Sequence, residues 1–395
     1  MKTISLLTNV AFLLLFPTMA IMAESTDSIV TSRPPISIQT TANYSYLYPK
    51  GGFNEEAIHS YGTGFYDLRI KWGESPTLQA GLLYGDYNHI HVKRAESECK
   101  SRIGNVIAAF FGMQYDIVKS GRWKLGAEVN HGIAYCTDPY NDTKNPDNRM
   151  IGSRFTFYIG IGAYVRYRLS PQWSVGMNID TKHFSNGTVW QPNLGANSVG
   201  PSLTLQYDME PQPLRYQKGS SADKSFDYKK GFYIDITSGI GLKTIRPVFD
   251  DTRNKHQAVY GFPFVSAGIM KRYHKYNASG IALDYTYANY MDRIHEYEKT
   301  EGYTGYSYSR QMLGLSLKHE MFYRHLSASA AMGYYLYRKG GHYGKYDEGK
   351  LYQVIGIRYS FPFTKDRLYV GYQVKAHTFS KADCTNIYLG YRIGL

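Results

Sequence analysis

A histidine and a serine two positions apart, His183 and Ser185, are the pair of side chains in this sequence best suited to covalent chemistry. In an extended strand such residues point to the same side, about 7 Å apart along the backbone, so their side chains can reach hydrogen-bond distance. A serine so placed can attack an ester carbonyl while the imidazole takes its proton as general base. The pattern predicts nucleophilic acyl transfer, which requires no metal and no cofactor.

The strand that carries this pair indicates where it points. The predicted strand Trp173–Ser185 has an apolar set that shares the parity of His183 and Ser185: Val175, Met177 and Ile179. The opposite face is polar and comprises Ser174, Asn178, Asp180 and Lys182. Because successive side chains of a strand alternate between faces, we expect the pair to project from the apolar face. In a membrane barrel that face contacts lipid, and the bilayer would hold an acylated substrate beside the pair.

The residues that follow the serine, Asn186 and Gly187, are candidate oxyanion donors. Backbone N–H groups can stabilise the charge that develops on an attacked carbonyl oxygen. Glycine lets the backbone approach a substrate closely because it has no side chain.

The run from Lys182 to Gly187, followed by Gln191 to Asn197, resembles the signature of the lipid A 3-O-deacylase family of outer-membrane barrels. In that family a His-x-Ser-Asn run ends the seventh strand of an eight-stranded barrel. The resemblance implies that Ser185 is the nucleophile and His183 the base. It also implies removal of the ester-linked 3-hydroxyacyl chain at the 3-position of lipid A. The resemblance in architecture covers the first half of the mature chain. The residues themselves match the family signature closely only over His183 to Asn197.

The sequence departs from the family at the third catalytic member. The family places an acidic residue after the serine, near the start of the next strand, but residues 184–207 contain no Asp or Glu. Asn197 stands about where the acid is expected. Its amide oxygen can accept the imidazole proton, although it stabilises the imidazolium less well than a carboxylate. We therefore assign Asn197 as the orienting residue, and a slow or inactive site stays open.

A second histidine, His131, shares the outward parity of Leu125, Ala127, Val129 and Ile133 on the fifth predicted strand. It is a candidate substrate-binding residue that would contact a lipid phosphate. The alternative interpretation is a histidine of the interfacial belt.

Strands of about 10 to 15 residues with alternating polarity run through the chain. In the segment from Arg154 to Leu169, apolar residues share one face and arginines the other, so the arginines should face a polar lumen. Short and long connections also alternate, which is typical of outer-membrane barrels. The pattern predicts an all-β protein, a transmembrane antiparallel β-barrel with about sixteen strands. No run of roughly 18 apolar residues predicts a transmembrane helix.

The strands fall into two sets of about eight, separated by a polar connection. We predict two tandem eight-stranded barrels, and one sixteen-stranded barrel is the alternative. The expected boundaries are a signal peptide over 1–23, a deacylase-like half over 24–209, a linker over 210–230 and a degenerate second half over 231–395. In the second half His377 has lumen parity, which predicts a non-catalytic barrel.

Composition and charge agree with an exported membrane protein. The chain has 39 Tyr, 38 Gly and only 19% charged residues, which suits aromatic girdles around an apolar wall. The net charge of +13 favours phosphorylated lipopolysaccharide as the anionic partner. Export from the cytoplasm argues against nucleic acid as a partner, and a homodimer stays open.

Cys99 and Cys136 fall in predicted outer loops and could form a disulfide, which would leave Cys384 unpaired.

The sequence thus predicts an outer-membrane serine esterase that acts on lipid A in lipopolysaccharide. The alternative is a non-catalytic outer-membrane barrel, either a pore or a lipid-binding structural protein. A surface adhesin with basic loops is a third hypothesis, but no motif in the loops indicates which ligand it would bind.

Overall fold

The computed structural model describes residues 35–48, 58–59, 61–73, 76–93, 100–216, 229–245, 258–377 and 381–394. The predicted signal peptide and Cys99 lie outside these ranges. Two compact units are present: residues 35–186 and 191–216 form the first, and residues 187–190 and 229–394 form the second. Within the described ranges, no helix is long and apolar enough to cross a membrane.

The first unit is a closed barrel of eight antiparallel strands. Its strands are β1 Ile36–Leu47, β2 Gly62–Trp72, β3 Thr77–Val92, β4 Ser101–Ser120, β5 Trp123–Cys136, β6 Phe155–Arg168, β7 Trp173–Ser185 and β8 Ala196–Asp208. The sheet runs in the order β4, β5, β6, β7, β8, β1, β2, β3, and the pairing of β3 with β4 closes it. A two-residue strand, Ile58–His59, pairs with the last residues of β3.

Ion pairs and amides fill the lumen of this barrel. Arg69 contacts Asp67 through two hydrogen bonds of 2.7 Å and Glu128 at 3.2 Å. Gln114 donates to the same Glu128 carboxylate at 2.6 Å. Eight strands leave an interior just wide enough for side chains. Removing one partner of a buried ion pair costs about 3–5 kcal/mol, because a buried charge is left uncompensated. The alternation predicted for Arg154 to Leu169 is present, since Arg166 and Arg168 are buried while Phe155 is exposed.

The second unit is also a closed eight-stranded antiparallel barrel, with strands paired in chain order. Its strands are β9 Gly231–Ile245, β10 Ala258–His274, β11 Asn277–Tyr287, β12 Gln311–Tyr323, β13 Leu326–Tyr337, β14 Leu351–Ser360, β15 Leu368–His377 and β16 Lys381–Ile393. Its connections contain the helix α1 Met291–Thr300, the helical turn α2 Gly341–Tyr343, a π-helical turn Gly344–Glu348 and a 3-10 turn Pro362–Thr364. The prediction of two eight-stranded barrels is confirmed.

Charged side chains also fill the second lumen. Arg358 donates to Asp235 at 3.2 Å and to Glu320 at 3.0 Å, and Arg392 donates to Glu320 at 2.5 Å. His377 is buried at the end of β15 and its Nδ1 contacts the carbonyl oxygen of Leu351 at 3.1 Å. A cavity of about 50 Å³ lies among the described residues of this lumen. Side chains therefore fill most of the interior of this barrel.

Candidate active site

The candidate site lies at the end of β7, where His183 and Ser185 end the strand. β7 is hydrogen-bonded on one side to β6, which places Ile159 opposite His183 and Phe157 opposite Ser185. On its other side β7 pairs with β8, and Asn197 lies directly opposite His183. Two neighbouring strands thus fix the backbone of the pair, and the register of β8 brings the third residue to it.

The three side chains form a continuous hydrogen-bonded line. His183 Nε2 is 2.8 Å from Ser185 Oγ, and His183 Nδ1 is 2.6 Å from Asn197 Oδ1. Asn197 Nδ2 donates to the carbonyl oxygen of Gly195 at 3.2 Å. Because this bond commits the amide nitrogen, the oxygen of Asn197 faces the imidazole and accepts the Nδ1 proton. Nε2 then carries the lone pair and accepts a hydrogen bond from the serine hydroxyl.

The lumen side of β7 provides rigid support for the pair. Phe184, between the two residues, is fully buried. Its ring stacks on Tyr158 at 5.2 Å and on Phe65 at 6.2 Å, and meets Tyr87 edge to face at 6.2 Å. Since neighbouring strand residues point to opposite faces, this anchoring directs His183 and Ser185 outward, on the face of Met177 and Ile179. Those two side chains are 57% and 67% exposed, whereas Ser185, at the end of the strand, is 8% exposed.

A glycine packs against the imidazole on the side of the β7–β8 connection. A Cβ added at Gly195 would lie 2.6 Å from His183 Cε1 and 3.2 Å from Nδ1. The residue also has a φ of +80°, which L side chains rarely adopt. A side chain at this position would therefore displace the ring that links Ser185 to Asn197.

The connection around the site is held by a second connection of the same barrel. Leu194 N donates to Arg149 O at 3.0 Å, and Gly195 N donates to Met150 O at 2.9 Å. Met150 is itself buried in the core at this end of the barrel. The β5–β6 connection, residues 137–154, thus fixes the position of Gly195 beside the imidazole.

Two residues were predicted as oxyanion donors, Asn186 and Gly187. The Asn186 backbone N–H donates to Asn193 Oδ1 at 3.0 Å, and its side-chain Nδ2 donates to Ser153 Oγ at 3.0 Å. Gly187 has a φ of +61°. In this structure the Asn186 N–H is therefore engaged within the protein.

His131 lies on the same outward face but apart from the line. It faces Ile159 on β6, and Ile159 faces His183 on β7. Two strand spacings separate the histidines, or roughly 10 Å. The His131 ring stacks on Phe157 at 6.1 Å and meets Phe111 edge to face at 6.0 Å. It belongs to an aromatic patch on the wall, beside the hydrogen-bonded line.

Three features of the site did not emerge from the sequence: the contact of Gly195 with His183, the hydrogen bond from Asn186 N–H to Asn193 Oδ1, and the support from residues 149–153. Gly195 and Asn193 lay within the run that resembles the family signature. No motif in the sequence marked residues 149–153 as part of the site.

Among the described cysteines, Cys136 is a free thiol that contacts Thr156 Oγ1 at 3.6 Å, and Cys384 is also free.

A cluster with metal-ligand residue types occurs in the second barrel. Glu348, His377 and Asp383 bring their ligand atoms within 4.8 Å of one another. Two cations already neutralise the carboxylates, because Lys243 contacts both acids and Arg338 contacts Glu348. The cluster is an internally compensated ion network.

Two family models match the chain. The model described as Lipid A 3-O-deacylase (PagL) matches residues 59–206, and the model described as Acyloxyacyl hydrolase, C-terminal domain, matches residues 232–395. Together they span most of the chain. No curated protein matches it in sequence. The comparisons give no support to a homodimer.

Several solved outer-membrane structures are similar to this chain, each over a stretch about as long as one of its barrels. The outer membrane enzyme PagL is 18% identical, over 43% of this chain and 97% of that one, with a TM-score of 0.26. The Neisserial surface protein A is 11% identical, over 44% and 97%, with a TM-score of 0.30. Ail of Yersinia pestis is 11% identical, over 45% and 99%, with a TM-score of 0.27.

Proposed function

Because this chain belongs to the lipid A 3-O-deacylase family and is a β-barrel protein of the bacterial outer membrane, we propose that it is a serine esterase. Its substrate would be lipid A in lipopolysaccharide, and the bond cleaved would be the ester of the 3-hydroxyacyl chain at the 3-position. The observation that carries this proposal is the line from Asn197 through His183 to Ser185 on the outward wall.

In the first half of the reaction, Ser185 Oγ attacks the ester carbonyl and its proton passes to His183 Nε2. Asn197 Oδ1 holds the opposite ring proton and so keeps the base lone pair directed at the hydroxyl. The tetrahedral intermediate collapses when the sugar oxygen leaves and takes the proton from His183. The acyl chain is then esterified to Ser185.

In the second half, a water molecule attacks the acyl-enzyme. His183 removes a proton from that water and returns it to Ser185 Oγ as the acyl bond breaks. The products are a free 3-hydroxy fatty acid and lipid A with one acyl chain fewer. The cycle regenerates the starting serine and consumes one water molecule.

The charge on the attacked carbonyl oxygen needs donors near Ser185. Asn186 and Gly187 follow the nucleophile directly and are the proposed donors. Since the Asn186 N–H is bonded to Asn193 Oδ1, it would exchange that partner for the substrate oxygen. A donor aimed at the developing oxyanion typically contributes about 10²–10³ in rate.

The position of the site matches a lipid substrate. The outward wall beside the line exposes large apolar side chains, including Ile179, Met177, Phe155 and Leu203. Such a wall lies in the hydrocarbon layer, so acyl chains can remain in the bilayer while the ester near the headgroup reaches Ser185. His131, in its aromatic patch on this wall, is the proposed contact for a lipid A phosphate.

The test is the mass of lipid A. The full-length protein is expressed in the outer membrane of a strain with fully acylated lipopolysaccharide, and lipid A is then extracted and analysed by mass spectrometry. We expect a species lighter by one 3-hydroxyacyl chain, together with the free hydroxy acid. An unchanged acyl pattern, with the barrel folded by heat-modifiable gel migration, would contradict the proposal and favour the non-catalytic barrel.

A further inference from the structure

A polar cavity lies inside the first barrel, at the end opposite to His183 and Ser185. Its volume is about 130 Å³, roughly ten times the ~10–15 Å³ that one water molecule needs on this measure. It is lined by residues near the ends of β2, β4, β6 and β8 and by Lys124 at the start of β5. The opposite end carries the longer connections, so this one is the periplasmic end of the barrel.

The lining of this cavity is strongly cationic. It contains two acids, Asp116 and Asp208, and six basic residues: Lys71, Lys119, Lys124, Arg166, Arg168 and Arg215. Both acids are already paired. Asp116 contacts Lys119 and Lys124, each at 3.2 Å, and Asp208 contacts Arg168 at 3.3 Å. The excess positive charge therefore falls on the remaining cations.

Among the described residues that line this cavity, Lys71 and Arg166 are buried cations with no carboxylate in salt-bridge contact. They are 3% and 4% exposed. Both donate to one neutral oxygen, Gln206 Oε1, at 2.7 Å each, and Lys71 also donates to Gln39 Oε1 at 3.2 Å. Arg166 Nε and Nη2 are buried without a hydrogen-bond partner. Two like charges removed from water and held together at an amide oxygen are costly unless an anion compensates them.

The segment after β8 covers the mouth of the cavity. Pro213 O accepts a hydrogen bond from Arg168 at 2.5 Å, and the Tyr216 ring lies 4.3 Å from the Arg168 guanidinium and 4.5 Å from Lys124 Nζ. Tyr216 N also donates to Gly121 O at 2.7 Å. This cover restricts the cavity to a small ligand.

We propose that this cavity binds a phosphate group between Lys71 and Arg166. A phosphate dianion would supply an anion in direct contact with these two cations, which have no carboxylate within salt-bridge distance. Its oxygens suit the free N–H groups of a guanidinium, which binds planar pairs of oxygens, and the point charge of a lysine. The group could belong to free inorganic phosphate or to a small phosphate monoester, since both present the same oxygens. The site is independent of the proposed esterase reaction.

The experiment measures binding of inorganic phosphate to the folded full-length protein in detergent micelles, by isothermal titration calorimetry at constant ionic strength in phosphate-free buffer. We expect one saturable site per chain. Lys71→Gln and Arg166→Gln should each weaken binding at least tenfold. Arg102→Gln is the matched control, because it removes one positive charge from an exposed residue at the opposite end of the barrel and should leave binding unchanged.

A third variant tests whether the two cations attract the phosphate, even if Lys71→Gln and Arg166→Gln unfold the barrel. Gln206→Glu places a carboxylate at the oxygen that Lys71 and Arg166 share, so it should abolish phosphate binding and raise the melting temperature. Methyl phosphate distinguishes the sources: binding of both ligands supports an ester-borne phosphate, and binding of inorganic phosphate alone supports the free ion. Absence of saturable binding by the folded wild-type protein, or equal weakening by Arg102→Gln, would overturn the proposal.

Discussion

His183 on β7 and Asn197 on β8 are directly paired neighbours in the sheet, and the imidazole Nδ1 lies 2.6 Å from the amide Oδ1. This relationship places an amide at the position where the resemblance implies an acid. The amide nitrogen is committed to Gly195 O, so its oxygen can only accept from the ring. With Nδ1 donating to this amide, the lone pair of Nε2 is directed at Ser185 Oγ, and the group behind the ring is a neutral amide.

Replacing the proposed nucleophile should remove the proposed activity without affecting the fold. Ser185→Ala is expected to lower the rate of lipid A deacylation by at least ~10³-fold, because no other group can form the acyl-enzyme. Mass spectrometry of lipid A measures the loss. The matched control is Thr181→Ala, which removes a hydroxyl from the same face of β7 and should keep nearly full activity. Substantial product from a folded Ser185→Ala protein would exclude Ser185 as the nucleophile.

Restoring an acid at the orienting position should accelerate the reaction. Asn197→Asp keeps the shape of the side chain and adds a charge that stabilises the imidazolium formed in the transition state. We expect kcat/KM to rise about tenfold, or ~1.4 kcal/mol of transition-state stabilisation. Asn197→Ala should reduce it by about 10²-fold, because the ring loses its acceptor.

Asn88→Asp serves as the control for the added charge, since it lies at an exposed position of the same barrel and should have no effect. If Asn197→Asp and Asn197→Ala both retained wild-type activity, Asn197 would have no part in orienting the histidine.

Filling the space beside the imidazole should impair catalysis beyond any effect of backbone strain alone. A Cβ at Gly195 would come within 2.6 Å of His183, and a displacement of about 1 Å typically costs ~10²-fold in rate. Gly195→Ala is therefore expected to lose about 10²-fold in deacylation rate. Gly121→Ala is the control: its φ of +57° gives similar backbone strain, but no atom lies within 4 Å of the added Cβ. Equal activities for the two variants would show that the contact with His183 is unimportant.

Neither barrel should conduct ions. The first lumen is crossed by the network of Arg69, Asp67 and Glu128, and the second by that of Arg358, Asp235 and Glu320. Planar-bilayer recordings of the purified protein should show no unitary conductance under conditions where a general porin opens. Reproducible channel steps would support the pore that the sequence left open as an alternative.

The sequence alone determined what depends on local periodicity. The alternation along Trp173–Ser185 predicted the bounds of β7 and the face that carries His183 and Ser185, because the side-chain period of a strand is two and lipid accepts only the apolar face. The same rule placed Arg166 and Arg168 inside the first barrel and His377 inside the second. The long polar connection between two sets of strands favoured two closed barrels.

Tertiary structure decided what depends on strand register and closure. Asn197 reaches His183 only because β8 pairs with β7 in one register, and Gly195 contacts the ring only because a separate connection holds it there. Lys71 and Arg166 are 95 positions apart in the chain and meet at Gln206 only when the sheet closes. Periodicity assigns a side chain to a face, but which residues share that face at one height depends on hydrogen bonds between distant strands.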